Sequence, residues 1–203
     1  MIKKIKDIWI KYELGFYSSV AGSLIMGTIH LVSTIMSFSW LTFNYMLFCY
    51  LLMFARVFIW YLHLKKKNVF YLSGAIWLTL VLIPLGVSLF KTISDKEVTV
   101  YIFDWIIYGY AFYAFFKLIV SIINLSKKEK RQQPERNVLS WMSLISALFT
   151  MFMLEFTMIR TYIEGDVGSM WIMEFTFQIV TLAITLFAIG LFVFRAVKPK
   201  KIE

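Results

Sequence analysis

Arg56 and Lys117 stand inside long apolar runs, nine or ten residues short of the lysine clusters Lys65-Lys66-Lys67 and Lys127-Lys128. A cation at the centre of a membrane-spanning helix costs about 2.5 to 3.5 kcal/mol, so its presence calls for a reason. If Lys65 marks the membrane boundary, nine residues at ~1.5 Å each put the Arg56 Cα about 13 Å deep, near the midplane of a ~30 Å core. Lys117 reaches a similar depth. Two cations at one level repel unless each side chain extends to the inner headgroups, or both face an anion. The first arrangement is a pair of snorkelling side chains; the second is a cytoplasm-facing pocket for a phosphate or carboxylate group.

On the opposite side, His30 and Glu155 lie at comparable distances beyond the centres of their runs, with Asp104, Glu174, Gln178 and Asn44 nearer the ends. A His30–Glu155 contact would satisfy both groups, either as one buried hydrogen bond between helices or as a proton- or cation-binding site. Arg160, five residues after Glu155, is off the best helical pairing positions but can neutralise it near the surface. The ligand-binding candidates are therefore Arg56, Lys117, His30, Glu155 and Asp104. With one cysteine, Cys49, and two histidines, no strong zinc set can be assembled. The chain has no H-E-x-x-H, no G-x-S-x-G and no G-x-x-x-x-G-K, so neither an enzyme activity nor a bound cofactor is expected.

The elements that carry these residues are membrane helices. Six stretches, roughly Phe16–Trp40, Phe43–Leu64, Val69–Phe90, Tyr101–Leu125, Val138–Ile159 and Met170–Phe194, reach or exceed the ~20 residues that a helix needs to cross the hydrocarbon core. They are continuously apolar rather than alternating, and a spanning segment must satisfy its own backbone, which predicts an all-α, polytopic bundle of six transmembrane helices. In a chain of 203 residues that is 60% hydrophobic, these runs leave no room for a soluble domain. The expected organisation is an interfacial segment over 1–14, a six-helix domain over 15–195 and a basic tail over 196–203. In the first of these, Ile2, Ile5, Trp9 and Tyr12 recur at helical spacing among Lys3, Lys4, Lys6 and Lys11, the pattern of a helix lying along the membrane surface.

Lysine and arginine set the orientation. They gather in the N-terminal tail, around Lys65–Lys67, from Lys127 to Arg136, and from Arg195 to Lys201. The intervening gaps offer Lys91, Lys96 and Arg160, outweighed by Asp95, Glu97, Glu164 and Asp166. Both termini are thus expected in the cytoplasm, with the chain multi-pass in the plasma membrane. The net charge of +9 is dispersed over short loops and tails, which suits anionic phospholipid headgroups and argues against nucleic acid.

A weak repeat links the second and fourth runs: Phe43-Asn44-Tyr45 precedes Arg56 and a lysine cluster, and Phe103-Asp104-Trp105 precedes Lys117 and another. Because those runs point the same way, the repeating unit would be a hairpin used three times. Ser19, Ser23 and Gly27, and likewise Ser143 and Ala147, recur every four residues and predict close helix approach. Pro84 with Gly86 predicts a bend or break in the third run. Tyr101, Trp105, Tyr108 and Phe112 form an aromatic stripe suited to lipid contact or packing.

The run from Tyr45 to Phe58, the basic end of the second span, and Lys117 to Asn124 followed by the basic loop with Pro134, Arg136 and Leu139-Ser140 resemble a group of uncharacterised six-span membrane proteins of Gram-positive bacteria. That resemblance implies a bacterial plasma membrane and no particular activity. Two functions are consistent with the residues. One is transport, or a transport-associated role, for a small anionic solute or a cation. The other is a non-catalytic subunit or scaffold that docks a membrane protein partner or a second copy of itself. Transport predicts a water-filled cavity reaching those polar residues; the subunit reading predicts a dry, tightly packed interior with the cations at the lipid boundary.

Overall fold

The computed structural model describes residues 2–37, 39–65, 69–94, 104–127, 133–162 and 167–197. Within them the regular elements are six α-helices: α1 (Ile2–Ser37), α2 (Trp40–Leu64), α3 (Phe70–Ser94), α4 (Asp104–Ser126), α5 (Pro134–Tyr162) and α6 (Val167–Val197). Each contains a stretch of 20 to 25 residues long and apolar enough to cross a membrane. The all-α, six-span membrane fold expected from the sequence is the fold observed.

The helices outrun the apolar stretches. α1 continues unbroken from Ile2 to Ser37, so residues 2–14 run into the first span within one helix, although the side chains before Phe16 lie outside the described residues. α3 also continues unbroken through Pro84, and the expected break does not occur. A proline removes one backbone donor, and in a helix held by neighbours on several sides that loss is tolerated.

The packing forms two layers of three. α1, α2 and α3 lie side by side in chain order, as do α4, α5 and α6, and the layers meet where α2 packs on α5 and α3 packs on both α5 and α6. α3 and α4, consecutive in the chain, are not packed along one another. Neighbour relations therefore follow the two triplets rather than three hairpins. α1 packs along α2 only and α4 along α5 only, which makes both of them outer members of the array.

Aromatic side chains fill the contact between the layers. Phe48 on α2 meets Phe149 on α5 with ring centroids 4.3 Å apart, and Phe149 continues to Phe152 and Phe156 along α5. Gly74 lets α3 approach closely: a Cβ there would lie 2.7 Å from Val138 Cγ1 of α5 and 3.1 Å from the Phe192 ring of α6. The outer surface is apolar, as lipid requires; Tyr108 and Phe112 of the predicted stripe are 71% and 76% exposed. Tyr101 and Trp105 lie outside the described side chains.

A candidate anion site between four helices

Polar side chains collect in one quadrant of the array, bounded by α1, α2, α5 and α4. Each helix supplies them at helical spacing: Ser19, Ser23 and His30 on α1; Tyr45, Cys49 and Arg56 on α2; Tyr110, Tyr113 and Lys117 on α4; Ser146 and Thr150 on α5. Spacings of three, four, seven and eleven residues put each set on one face, so the four helices turn their polar faces toward a shared interior.

Arg56 is 1% exposed. Its Nη1 donates to the backbone carbonyl of Ser19 at 3.1 Å and to the hydroxyl of Ser23, both on α1. Nε and Nη2 are buried and have no hydrogen-bond partner. A guanidinium carries five N–H donors, and the Nε–Nη2 edge is one of the two-pronged faces that match the paired oxygens of a carboxylate or phosphate. That edge is the one left unfilled.

Lys117 of α4 is half-buried in the same quadrant. Its Nζ donates to Thr150 Oγ1 at 3.1 Å and sits 5.1 Å from the centre of the Tyr113 ring. Thr150 is a hub. Its hydroxyl donates to the Ser146 carbonyl at 2.6 Å and lies 2.9 Å from the Tyr45 hydroxyl. Since its single proton is spent on Ser146, Thr150 accepts from both Lys117 and Tyr45, and its capacity is full. The Tyr113 hydroxyl reaches α1, where it lies 2.9 Å from the position of a Cβ on Gly22.

Among the described residues, no Asp or Glu side chain pairs with Arg56 or Lys117. Taking an ion out of water costs several kcal/mol even after relaxation, and a buried charge is ordinarily matched by an opposite one. Here two cations share an interior with hydroxyls, a thiol and a carbonyl. Arg56 is enclosed by protein, so the headgroup-seeking arrangement open to it on sequence grounds is not the one adopted.

The other candidates fall elsewhere. His30 is fully buried at the far end of the same quadrant, its ring edge-on to Tyr45 at 4.2 Å between centroids and 6.0 Å from Tyr110. Neither of its nitrogens has a hydrogen-bond partner. Glu155 lies on α5 near Glu174 of α6, so the expected His30–Glu155 contact is not formed. The reason is the face each occupies: His30 points between α1, α2 and α4, whereas Glu155 points toward α6. Asp104 begins α4, and its side chain, like that of Arg160, lies outside the described residues. His63, two residues before the lysine cluster, faces Glu135 of α5 at 3.6 Å.

A second polar line, which the sequence reading did not connect, runs down α6 through Glu174, Gln178, Thr181 and Thr185, all buried. Its signal was available: those positions follow a spacing of four, three and four. Among the described residues, no group of three or more His, Cys, Asp or Glu side chains gathers as a metal-ion site.

Compared with family models, with curated proteins and with solved structures, the chain matches none.

Proposed function

We propose that this integral membrane protein binds a small anionic molecule at Arg56 and Lys117 and moves it across the bilayer, or holds it for a transport system of which it is part. The observation that carries the reading is that Arg56, buried in the quadrant that also holds Lys117, has no acidic side chain paired with it among the described residues and leaves a two-pronged edge unfilled. A fold gains nothing from such an arrangement on its own, because burying like charges together opposes folding. An anion would offset both the desolvation and the repulsion.

A purely structural subunit would be served better by an apolar interior with its cations at the lipid boundary, and the burial of Arg56 argues against that alternative. The setting we propose is a bacterial plasma membrane with both termini in the cytoplasm. The basic tails and loops on one side support it through attraction to anionic phospholipids, and the likeness to six-span proteins of Gram-positive bacteria agrees with it.

The test is flux. The purified protein is reconstituted into sealed liposomes loaded with phosphate or with a short-chain carboxylate, and release is followed over time. Release above that of empty liposomes, lost in Arg56→Met and in Lys117→Met, supports transport. Release that both variants retain contradicts it.

A further inference from the structure

Tyr113 lies between the cationic cluster and α1. Its ring lies against the Lys117 ammonium, and its hydroxyl rests over Gly22 of α1, the residue before Ser23, which receives Arg56. α1 and α4 are the two helices that pack along only one neighbour each, and they are not packed along one another. On that side of the quadrant, Tyr113 bridges the helices by seating on a residue with no side chain. The opposite end of the array, where α3 and α6 pack together, has no such seam.

We infer that the Arg56–Lys117 site takes an oxyanion with two neighbouring oxygens, a phosphate or a carboxylate group, on the Nε–Nη2 edge of Arg56, and that Tyr113 over Gly22 is the closure through which it is reached between α1 and α4. Nη1 is committed to α1 through Ser19 and Ser23, which fixes the guanidinium plane and leaves the paired edge presented. Lys117, held by Thr150 on its other side, contributes a point charge rather than a second fork. The inference rests on the reading of this cluster as a ligand site, and it adds the shape of the ligand's charged group and the route by which it arrives. A route between two helices at the edge of the array opens to the bilayer, so the same chemistry can come from an anionic lipid headgroup or from a free anion that passes the closure.

The experiment has two arms, both on the full chain in phosphatidylcholine nanodiscs. In the aqueous arm, binding of radiolabelled inorganic phosphate is measured at equilibrium; in the bilayer arm, phosphatidic acid is added to the disc and its retention through purification is quantified. Saturable binding in either arm, weakened about tenfold or more by Arg56→Lys, supports the oxyanion fork, because lysine keeps the charge and loses the paired geometry. The arm that responds identifies the source. Absence of binding in both arms, or binding that Arg56→Lys and Arg56→Met leave unchanged, overturns the inference. For the closure, Tyr113→Ala should speed release of the bound anion while Gly109→Ala, at an open position on the same helix, should not. Equal release rates for wild type and Tyr113→Ala overturn the route. Binding without flux in liposomes would sink the transport reading alone, and flux without binding in either arm would sink this inference alone.

Discussion

Lys117 on α4 and Thr150 on α5 are joined Nζ to Oγ1 at 3.1 Å, and the threonine that receives this bond has no hydrogen-bonding capacity left over. Thr150→Val should therefore strand the buried Tyr45 hydroxyl and the half-buried Lys117 ammonium. Leaving a buried donor unsatisfied costs about 1 to 3 kcal/mol, so the thermal midpoint in detergent should fall clearly. Thr150→Ser keeps the hydroxyl and should fall by less. Equal losses for the two would mean that the methyl group, not the network, carries the effect.

Arg56 should behave in the opposite sense. Replacing buried ions by apolar residues of similar volume is often neutral or stabilising by about 1 to 4 kcal/mol, whereas removing one member of a satisfied pair costs about 3 to 5 kcal/mol. With no acidic partner among the described residues, Arg56→Met belongs to the first case. The expected thermal midpoint is at or above that of wild type, measured without added anion. A large drop would show that the contacts with Ser19 and Ser23 hold α1 to α2 and that the residue is structural.

Glu155 and Glu174 approach one another across α5 and α6. Two neighbouring carboxylates, one buried and one half-buried, repel when both are ionised, so Glu155→Gln should raise stability at neutral pH and do so less in mild acid, where protonation already relieves the repulsion. Thermal unfolding across that range measures it. A variant that is less stable than wild type at neutral pH would show that something other than repulsion dominates there.

Gly74 makes a sharper test of packing. Its Cβ position lies 2.7 Å from Val138 Cγ1 and 3.1 Å from the Phe192 ring, while Gly86, Gly109 and Gly190 have nothing within 4 Å. Gly74→Ala should be destabilising on the scale of overpacking, about 1 to 3 kcal/mol, and alanine at the three open positions should be neutral or slightly stabilising. Comparable midpoints for all four variants would contradict the close approach of α3 to α5 and α6.

Most of the fold was legible because the bilayer restricts the alternatives so severely. The runs around Arg56 and Lys117 could be nothing but helices once they were read as spans, and their shared depth followed from the distance to Lys65 and Lys127. The matching order of aromatic, cation and lysine cluster in α2 and α4 also put both cations at one level along their helices. What the sequence could not convey was which faces turn toward each other. His30 and Glu155 were paired by depth alone, yet depth leaves rotation about the helix axis free, and they face different neighbours. The same freedom hid the layered packing, in which α3 leaves α4 for α6. The serines at 19 and 23 read as a packing stripe, and Ser23 does face α2, but their oxygens also receive Arg56.

Topology follows from the distribution of lysine and arginine and can be measured independently of ligand. In a Cys49→Ser background, single cysteines placed at position 2 and at position 202 should both resist a membrane-impermeant maleimide added to intact cells and both react after permeabilisation. A cysteine at position 98, between α3 and α4, should react in intact cells. Labelling of either terminus from outside would reverse the assignment.

The central claim is that the two interior cations serve a ligand, and the most direct measurement is the thermal midpoint of purified wild type and Arg56→Met across a series of phosphate concentrations at constant ionic strength. An anion that binds the folded state stabilises it by an amount that grows with the logarithm of its concentration, about 2.7 kcal/mol at a hundredfold excess over Kd. The account predicts a midpoint that climbs with phosphate in wild type and stays flat in Arg56→Met. Rising curves of equal slope for the two proteins, or no rise in either with phosphate and with phosphatidic acid alike, would contradict it.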